Sequence, residues 1–141
     1  MTFTYRIENA FSKEFLAAAA KLYRTAGWVE ENDGCGFLAA ALANSCAVCG
    51  AYDESGKLAG MGRALGDGVS DAYIQDVVVD PGYRRRGVGG HIVRTLVAEL
   101  RKRGVDWIGL VGEPGTEDFY RSLGFRAPAN FTFWRFPASG K

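Results

Sequence analysis

The sequence predicts a mixed α/β (α+β) fold, a sheet with helices packed on it, as a single domain over residues 1–141. Three observations carry this. Segments of period two and segments of period 3.6 follow one another in the order β-α-α-β-β-β-α-β-α-β. A chain of 141 residues with 48% hydrophobic and 23% charged residues has the size and balance of one globular domain. No repeat, low-complexity run or linker interrupts the pattern.

Thr2 to Glu8 reads as a first strand, with Phe3, Tyr5 and Ile7 alternating. Ser12 is a suitable N-cap for a helix to about Thr25, with Phe11 and Leu16 as its hydrophobic staple. Phe15, Ala19, Leu22 and Tyr23 form the apolar stripe of that helix, and Gly27 ends it. A loop with Trp28, Glu30, Glu31 and Asp33 leads to a short helix, about Phe37 to Ala43. Cys46 to Tyr52 and Lys57 to Leu65 read as a hairpin around Asp53-Glu54-Ser55-Gly56. Ala72 to Asp80 is a fourth strand, stopped by Pro81-Gly82. The next helix, about Gly87 to Arg103, gathers Val88, Ile92, Val93, Leu96, Val97 and Leu100 on one arc. His91 lies opposite, as a surface residue. Val105 to Val111 is a fifth strand, Thr116 caps a helix from Glu117 to Leu123, and Phe131 to Phe136 reads as a last strand.

Net charge is +1, so the molecule as a whole has no electrostatic reason to bind nucleic acid or an anionic membrane, and neither partner is expected. Residues 1–10 include Arg6 and Glu8 and no apolar signal core, and Phe37 to Tyr52 is too short and too interrupted to cross a bilayer. The expectation is cytoplasmic. Cys35, Cys46 and Cys49 then read as reduced thiols. The Cys46-x-x-Cys49 spacing has no second pair of ligands to complete a metal site, so no metal is expected.

The strongest signal is Asp76-Val77-Val78-Val79-Asp80-Pro81-Gly82-Tyr83-Arg84-Arg85-Arg86-Gly87-Val88-Gly89-Gly90. An apolar strand runs through a proline turn and an arginine-rich, glycine-studded loop into a helix. A helix N-terminus leaves about four N–H groups without partners and carries the positive end of the dipole. Glycines let a phosphate approach that main chain, and arginines add matching donors. This is a diphosphate site in outline. It is not a dinucleotide fingerprint, because Ile92 stands where a third glycine belongs and no acidic partner follows at the required distance.

Two segments together resemble the GCN5-related N-acetyltransferase (GNAT) superfamily. Arg84-Arg85-Arg86-Gly87-Val88-Gly89 fits that family's Arg/Gln-x-x-Gly-x-Gly/Ala pattern, and Phe119-Tyr120-Arg121-Ser122-Leu123-Gly124-Phe125 is similar to its Phe-Tyr-x-x-x-Gly-Phe signature. The resemblance is good over about residues 57–126 and extends to the N-terminal third by element order alone. It implies a mostly antiparallel sheet of six to seven strands, splayed between strands 4 and 5, with about four helices. It also implies acetyl-coenzyme A as acetyl donor. Val77, Val78 and Val79 would then offer strand-edge groups to the pantetheine arm. Arg84, Arg85, Arg86, Gly87, Val88, Gly89 and Gly90 would hold the diphosphate, and an N–H near Val77 would face the thioester carbonyl. Tyr120 would be the general acid toward the leaving thiolate, touching the coenzyme. After the fifth strand this chain has Val111-Gly112-Glu113 where many members carry an asparagine.

An amine acceptor must lose a proton before attack. Asp76 is the best-placed base, with Gln75 beside it to orient substrate or water, and Glu30, Glu31 and Asp33 are other candidates. Trp28 and Tyr73, with Trp134, suggest an aromatic wall for an arylalkylamine-like acceptor. The expected reaction is direct attack of a primary amine in a ternary complex. Alternatives are a non-catalytic acyl-coenzyme A sensor on the same fold and a protein N-terminus or lysine acetyltransferase. A homodimer through the last strand is a further possibility.

Overall fold

The computed structural model describes residues 1–139. They fall into two compact units, divided between Leu110 and Val111.

The first unit is a five-stranded sheet in the order β1-β2-β3-β4-β5. Its strands are β1 (Thr4–Ile7), β2 (Ala47–Tyr52), β3 (Leu58–Gly66), β4 (Asp71–Val79) and β5 (Trp107–Leu110). The first three pairings are antiparallel and β4–β5 is parallel. Helix α1 (Lys13–Thr25) packs on one face together with α2 (Leu38–Ala43), while α3 (Val88–Lys102) covers the other.

Local chemistry accounts for the element ends. Ser12 Oγ accepts from Phe15 N at 3.0 Å, which satisfies one orphan donor of α1, and Phe11 and Leu16 pack as the staple beside the core. Gly104 takes φ +91° after α3, and Val105 N bonds Leu100 O, so the helix ends in a left-handed glycine with Val105 tucked under it. The hairpin turn is held by Asp53 Oδ1, which accepts from Ser55 N and Lys57 N.

The two faces carry separate apolar layers. Phe15, Leu22, Tyr23, Leu38, Leu42, Val48, Met61 and Val78 form the layer under α1 and α2. On the other face Ile92 and Leu96 lie directly over Gly60 and Gly62, where a Cβ would sit 3.1 Å from Ile92 Cδ1 and 2.9 Å from Ile92 Cγ2 respectively. The helix approaches the sheet this closely only because those positions lack side chains.

The second unit begins at Val111 and contains α4 (Glu117–Ser122). Two expectations are corrected here. The sheet has five strands among the described residues, not six to seven, because Phe131 to Phe136 forms no strand. Phe131, Phe133, Trp134 and Phe136 are exposed, so the alternation has no partner edge to reward it. Thr116 does not cap α4 through its side chain: its hydroxyl donates instead to Glu113 O.

Candidate active site

The arginine–glycine loop is built as a turn that aims backbone donors outward. Asp80 Oδ1 accepts from Gly82 N at 2.8 Å, closing a 3-10 turn over Pro81–Tyr83. Arg84 Nε donates to Val79 O at 3.1 Å, folding the loop back on the end of β4. Arg85 and Gly87 then take left-handed φ values of +64° and +77°. Gly87 is the N-cap of α3 and has no side chain, so no capping oxygen occupies the donors of Val88, Gly89 and Gly90. Arg84, Arg85 and Arg86 are all exposed. Uncapped amides with the helix dipole behind them and guanidiniums beside them suit a diphosphate, so the residues present fit the coenzyme's most anionic part.

The strand leading into this loop has a free edge. The β4–β5 ladder runs only from Asp71↔Trp107 to Ile74↔Leu110. Beyond Ile74, β4 keeps its pairing with β3 through Arg63↔Gln75, Met61↔Val78 and Gly60↔Val79. Between Met61 and Arg63 the register shifts, so that Gly62 stands opposite both Asp76 and Val77 in a β-bulge. Among the described residues Val77, Val78 and Val79 therefore have no strand partner on the side away from β3, and an extended ligand can add there as a strand would.

On the face toward α1 the bulge aims a carboxylate inward. Asp76 Oδ2 accepts from Tyr23 Oη and from Arg63 Nε, both at 2.8 Å. Burial first, and then the hydrogen bond to Asp76, push the Tyr23 phenol well above the ordinary tyrosine range. Arg63 Nη1 also reaches Ala41 O and Ser45 Oγ at the end of α2. Trp28 and Phe37 stand edge-on to Tyr23, at ring-centroid distances of 5.2 and 6.1 Å. Gln75 lies opposite Arg63 in the β3–β4 register. The structure thus gathers Trp28, Asp76 and Gln75 around Tyr23 and Arg63. Tyr73 instead pairs with Trp107, at 5.2 Å, on the β4–β5 strands. Glu30 lies exposed in its loop, and its carboxylate makes no hydrogen bond among the described residues.

Sequence reasoning missed Tyr23, Arg63, Phe37 and Trp107. Two of them carry a signal in hindsight. Arg63 is the one charge inside an otherwise apolar and glycine-rich strand, and Tyr23 puts a hydroxyl into an apolar helix stripe, where it must find a partner.

In the second unit Tyr120 is half-buried on α4. Its ring stands edge-on to Phe119 at 4.9 Å and Phe125 at 5.9 Å, which packs the Phe-Tyr-x-x-x-Gly-Phe motif on itself. Gly124 takes φ +98°, and the resulting turn lets Phe125 N bond Tyr120 O. Burial, and to a lesser degree the charge of Glu113, raise the Tyr120 phenol above its ordinary value, so it keeps its proton at neutral pH.

The model of the acetyltransferase (GNAT) family matches residues 5–125. The chain belongs to this family. Both GNAT motifs, the loop of residues 84–89 and the segment 119–125, lie inside the match. Among curated GNAT relatives, the chain is 44% identical over 75 residues to serotonin N-acetyltransferase 2, chloroplastic, of Oryza sativa subsp. japonica, a match covering 53% of this chain and 38% of that protein. It is 38% identical over 100 residues to a histone acetyltransferase of Glycine max, covering 64% of this chain and 43% of the relative. The chain thus spans about two fifths of the length of these relatives. Among solved structures, a GNAT-family acetyltransferase from Streptococcus pneumoniae superposes with a TM-score of 0.80 at 25% identity, covering 98% of this chain and 99% of that one.

Proposed function

We propose that the protein is an acetyl-coenzyme A-dependent N-acetyltransferase that acts on a primary amine of the arylalkylamine class. The observation that carries this reading is the free β4 edge, Val77 to Val79, running directly into the uncapped N-terminus of α3. A thioester arm and a diphosphate are joined in the same order.

The bound coenzyme supplies an activated acetyl group as a thioester. The chain's part is to bind, orient and move protons. Backbone groups of residues 77–79 hold the arm extended, and the N–H groups of residues 85–90 and the guanidiniums of Arg84 to Arg86 hold the diphosphate. A backbone N–H near Val77 polarises the thioester carbonyl and steadies the oxygen charge that grows on attack. The amine nitrogen forms the new C–N bond as the C–S bond breaks, and the Tyr120 hydroxyl gives its proton to the departing sulfur. The amine's own surplus proton leaves through water.

Trp28 and Phe37, edge-on to Tyr23, support an aromatic acceptor, with Gln75 as a polar contact to its amine end. The relative named as a serotonin N-acetyltransferase points the same way. The relative named as a histone acetyltransferase favours a second reading, in which the acceptor is a protein lysine or N-terminus.

The deciding experiment measures free thiol release from acetyl-coenzyme A with arylalkylamines, polyamines and a histone-tail peptide. Faster release with tryptamine-like amines than with the others supports the proposal. Acceleration by the peptide alone selects the second reading. Binding without release from any acceptor makes the protein a sensor. Tyr120→Phe should lower turnover by about 10²–10⁴-fold while calorimetry shows coenzyme affinity retained.

A further inference from the structure

We propose that Asp76 is a positioning residue, whose carboxylate ties the β4 bulge to both helices of the α1 face and so sets the course of the free strand edge that follows it. This rests on the reading that residues 77–79 receive the thioester arm.

Asp76 holds φ +56°, a left-handed conformation that a residue with a Cβ keeps only when its surroundings insist. It sits within two residues of two breaks in the ladder. The pairing with β5 ends at Ile74, and the register with β3 shifts across Gly62. From there β4 has a partner on one side only, so backbone pairing does not fix its direction as firmly as in the preceding four residues.

The side chain supplies the missing constraint. One oxygen, Oδ2, takes two charge-assisted or phenolic hydrogen bonds at 2.8 Å. Tyr23 comes from the last turn of α1 and is 3% exposed; the Arg63 side chain is 12% exposed. Arg63 continues the chain of contacts to Ala41 O at 3.4 Å and Ser45 Oγ at 3.3 Å, and Ser45 Oγ itself donates to Ala41 O at 2.8 Å. A guanidinium placed against the last carbonyls of a helix is favourable there. The bulge is thereby fastened to α1 by a phenol and to the end of α2 by a guanidinium. These same two elements flank the loop that carries Trp28. Arg63 and Tyr23 are the donors that face the carboxylate from β3 and α1; on its own strand Gln75 is uncharged.

A carboxylate so engaged is arranged to accept hydrogen bonds, and an amide oxygen can accept the same two. Asparagine also tolerates left-handed φ better than other side chains. The test is therefore a series at one position. Asp76→Ala, which loses the tie and resists the conformation, should lower kcat on the order of 100-fold and raise the coenzyme's KM as well, because the edge that receives the arm is displaced. Asp76→Asn should recover about tenfold or more of that loss, with the low-pH limb of the kcat profile in its original place. Crystal structures of the free variants provide a readout independent of acceptor. Residue 76 should stay left-handed and bonded to Tyr23 and Arg63 in Asp76→Asn, and β4 should change course after Ile74 in Asp76→Ala. Equal loss of kcat in both variants, with the low-pH limb abolished, overturns the proposal and makes Asp76 the base. An unchanged β4 in Asp76→Ala overturns it as well. Should no amine be acetylated by the unaltered protein, the acetyltransferase reading fails, and the variant structures still decide what Asp76 holds.

Discussion

At the scale of single residues, the proposed chemistry rests on two positions. Gly87 must turn left-handed at φ +77° while presenting no side-chain oxygen to the amides of α3. An alanine there carries a strain of about 1–2 kcal/mol. Gly87→Ala should lower the melting temperature and, as the loop relaxes toward negative φ, weaken coenzyme binding measured by calorimetry. Unchanged affinity would show that the diphosphate does not depend on this turn. Tyr120 illustrates the opposite need, for a proton kept rather than a donor bared. Its phenol is raised above the ordinary value of 10.0, chiefly by burial. An acid works while protonated, so Tyr120 should impose no fall in kcat/KM until pH passes the ordinary tyrosine value. A decline that begins near pH 8 would assign the acid to another group.

At the scale of elements, the fold depends on close approach between α3 and the sheet. Gly60 and Gly62 share the sheet face on which Ile92 and Leu96 rest, and a Cβ at Gly62 would stand 2.9 Å from Ile92 Cγ2, 3.1 Å from Val77 Cγ2 and 3.3 Å from Leu96 Cδ1. Overfilling a packed layer costs about 1–3 kcal/mol. Gly62→Ala should destabilise by that amount in denaturant unfolding. Because the amides proposed to hold the diphosphate lie at the start of α3, the variant should weaken coenzyme binding more than a surface substitution of equal destabilisation does. Equal effects would mean that α3 tilts without moving its first turn.

At the scale of the whole molecule, the titratable groups that burial perturbs most push stability in one direction. Burial raises Cys49 from 9.0 to about 12 and Tyr52 from 10.0 to about 12, and it raises Tyr23 further. A group whose folded pKa lies above its unfolded value contributes its full stabilisation below the unfolded value, because both states are then protonated. As pH climbs past 9 the unfolded chain loses the Cys49 proton while the folded chain keeps it, and the tyrosines follow from about 10. The melting temperature should therefore fall steadily from pH 9 to about 12. A melting temperature flat across that window would show that these side chains reach water in the folded state.

The sequence alone determined the element order as far as α4, the glycine turn into α3 and the Phe119–Phe125 motif. Each is local: Ser12 caps its own helix, Gly87 and Gly104 punctuate α3, and the Phe119–Phe125 motif folds onto itself through Gly124. Period and turn chemistry act over a few residues, so they can be read from a few residues. What only the tertiary structure decided is pairing across distance. Nothing near Asp76 in the chain announces Tyr23, which is 53 positions away, or that Arg63 joins them. The alternation of Phe131 to Phe136 has the form of a strand, yet a strand exists only where another edge receives its hydrogen bonds. The same logic places the end of the β4–β5 ladder at Ile74, because register depends on both strands at once and neither shows by itself where its partner stops.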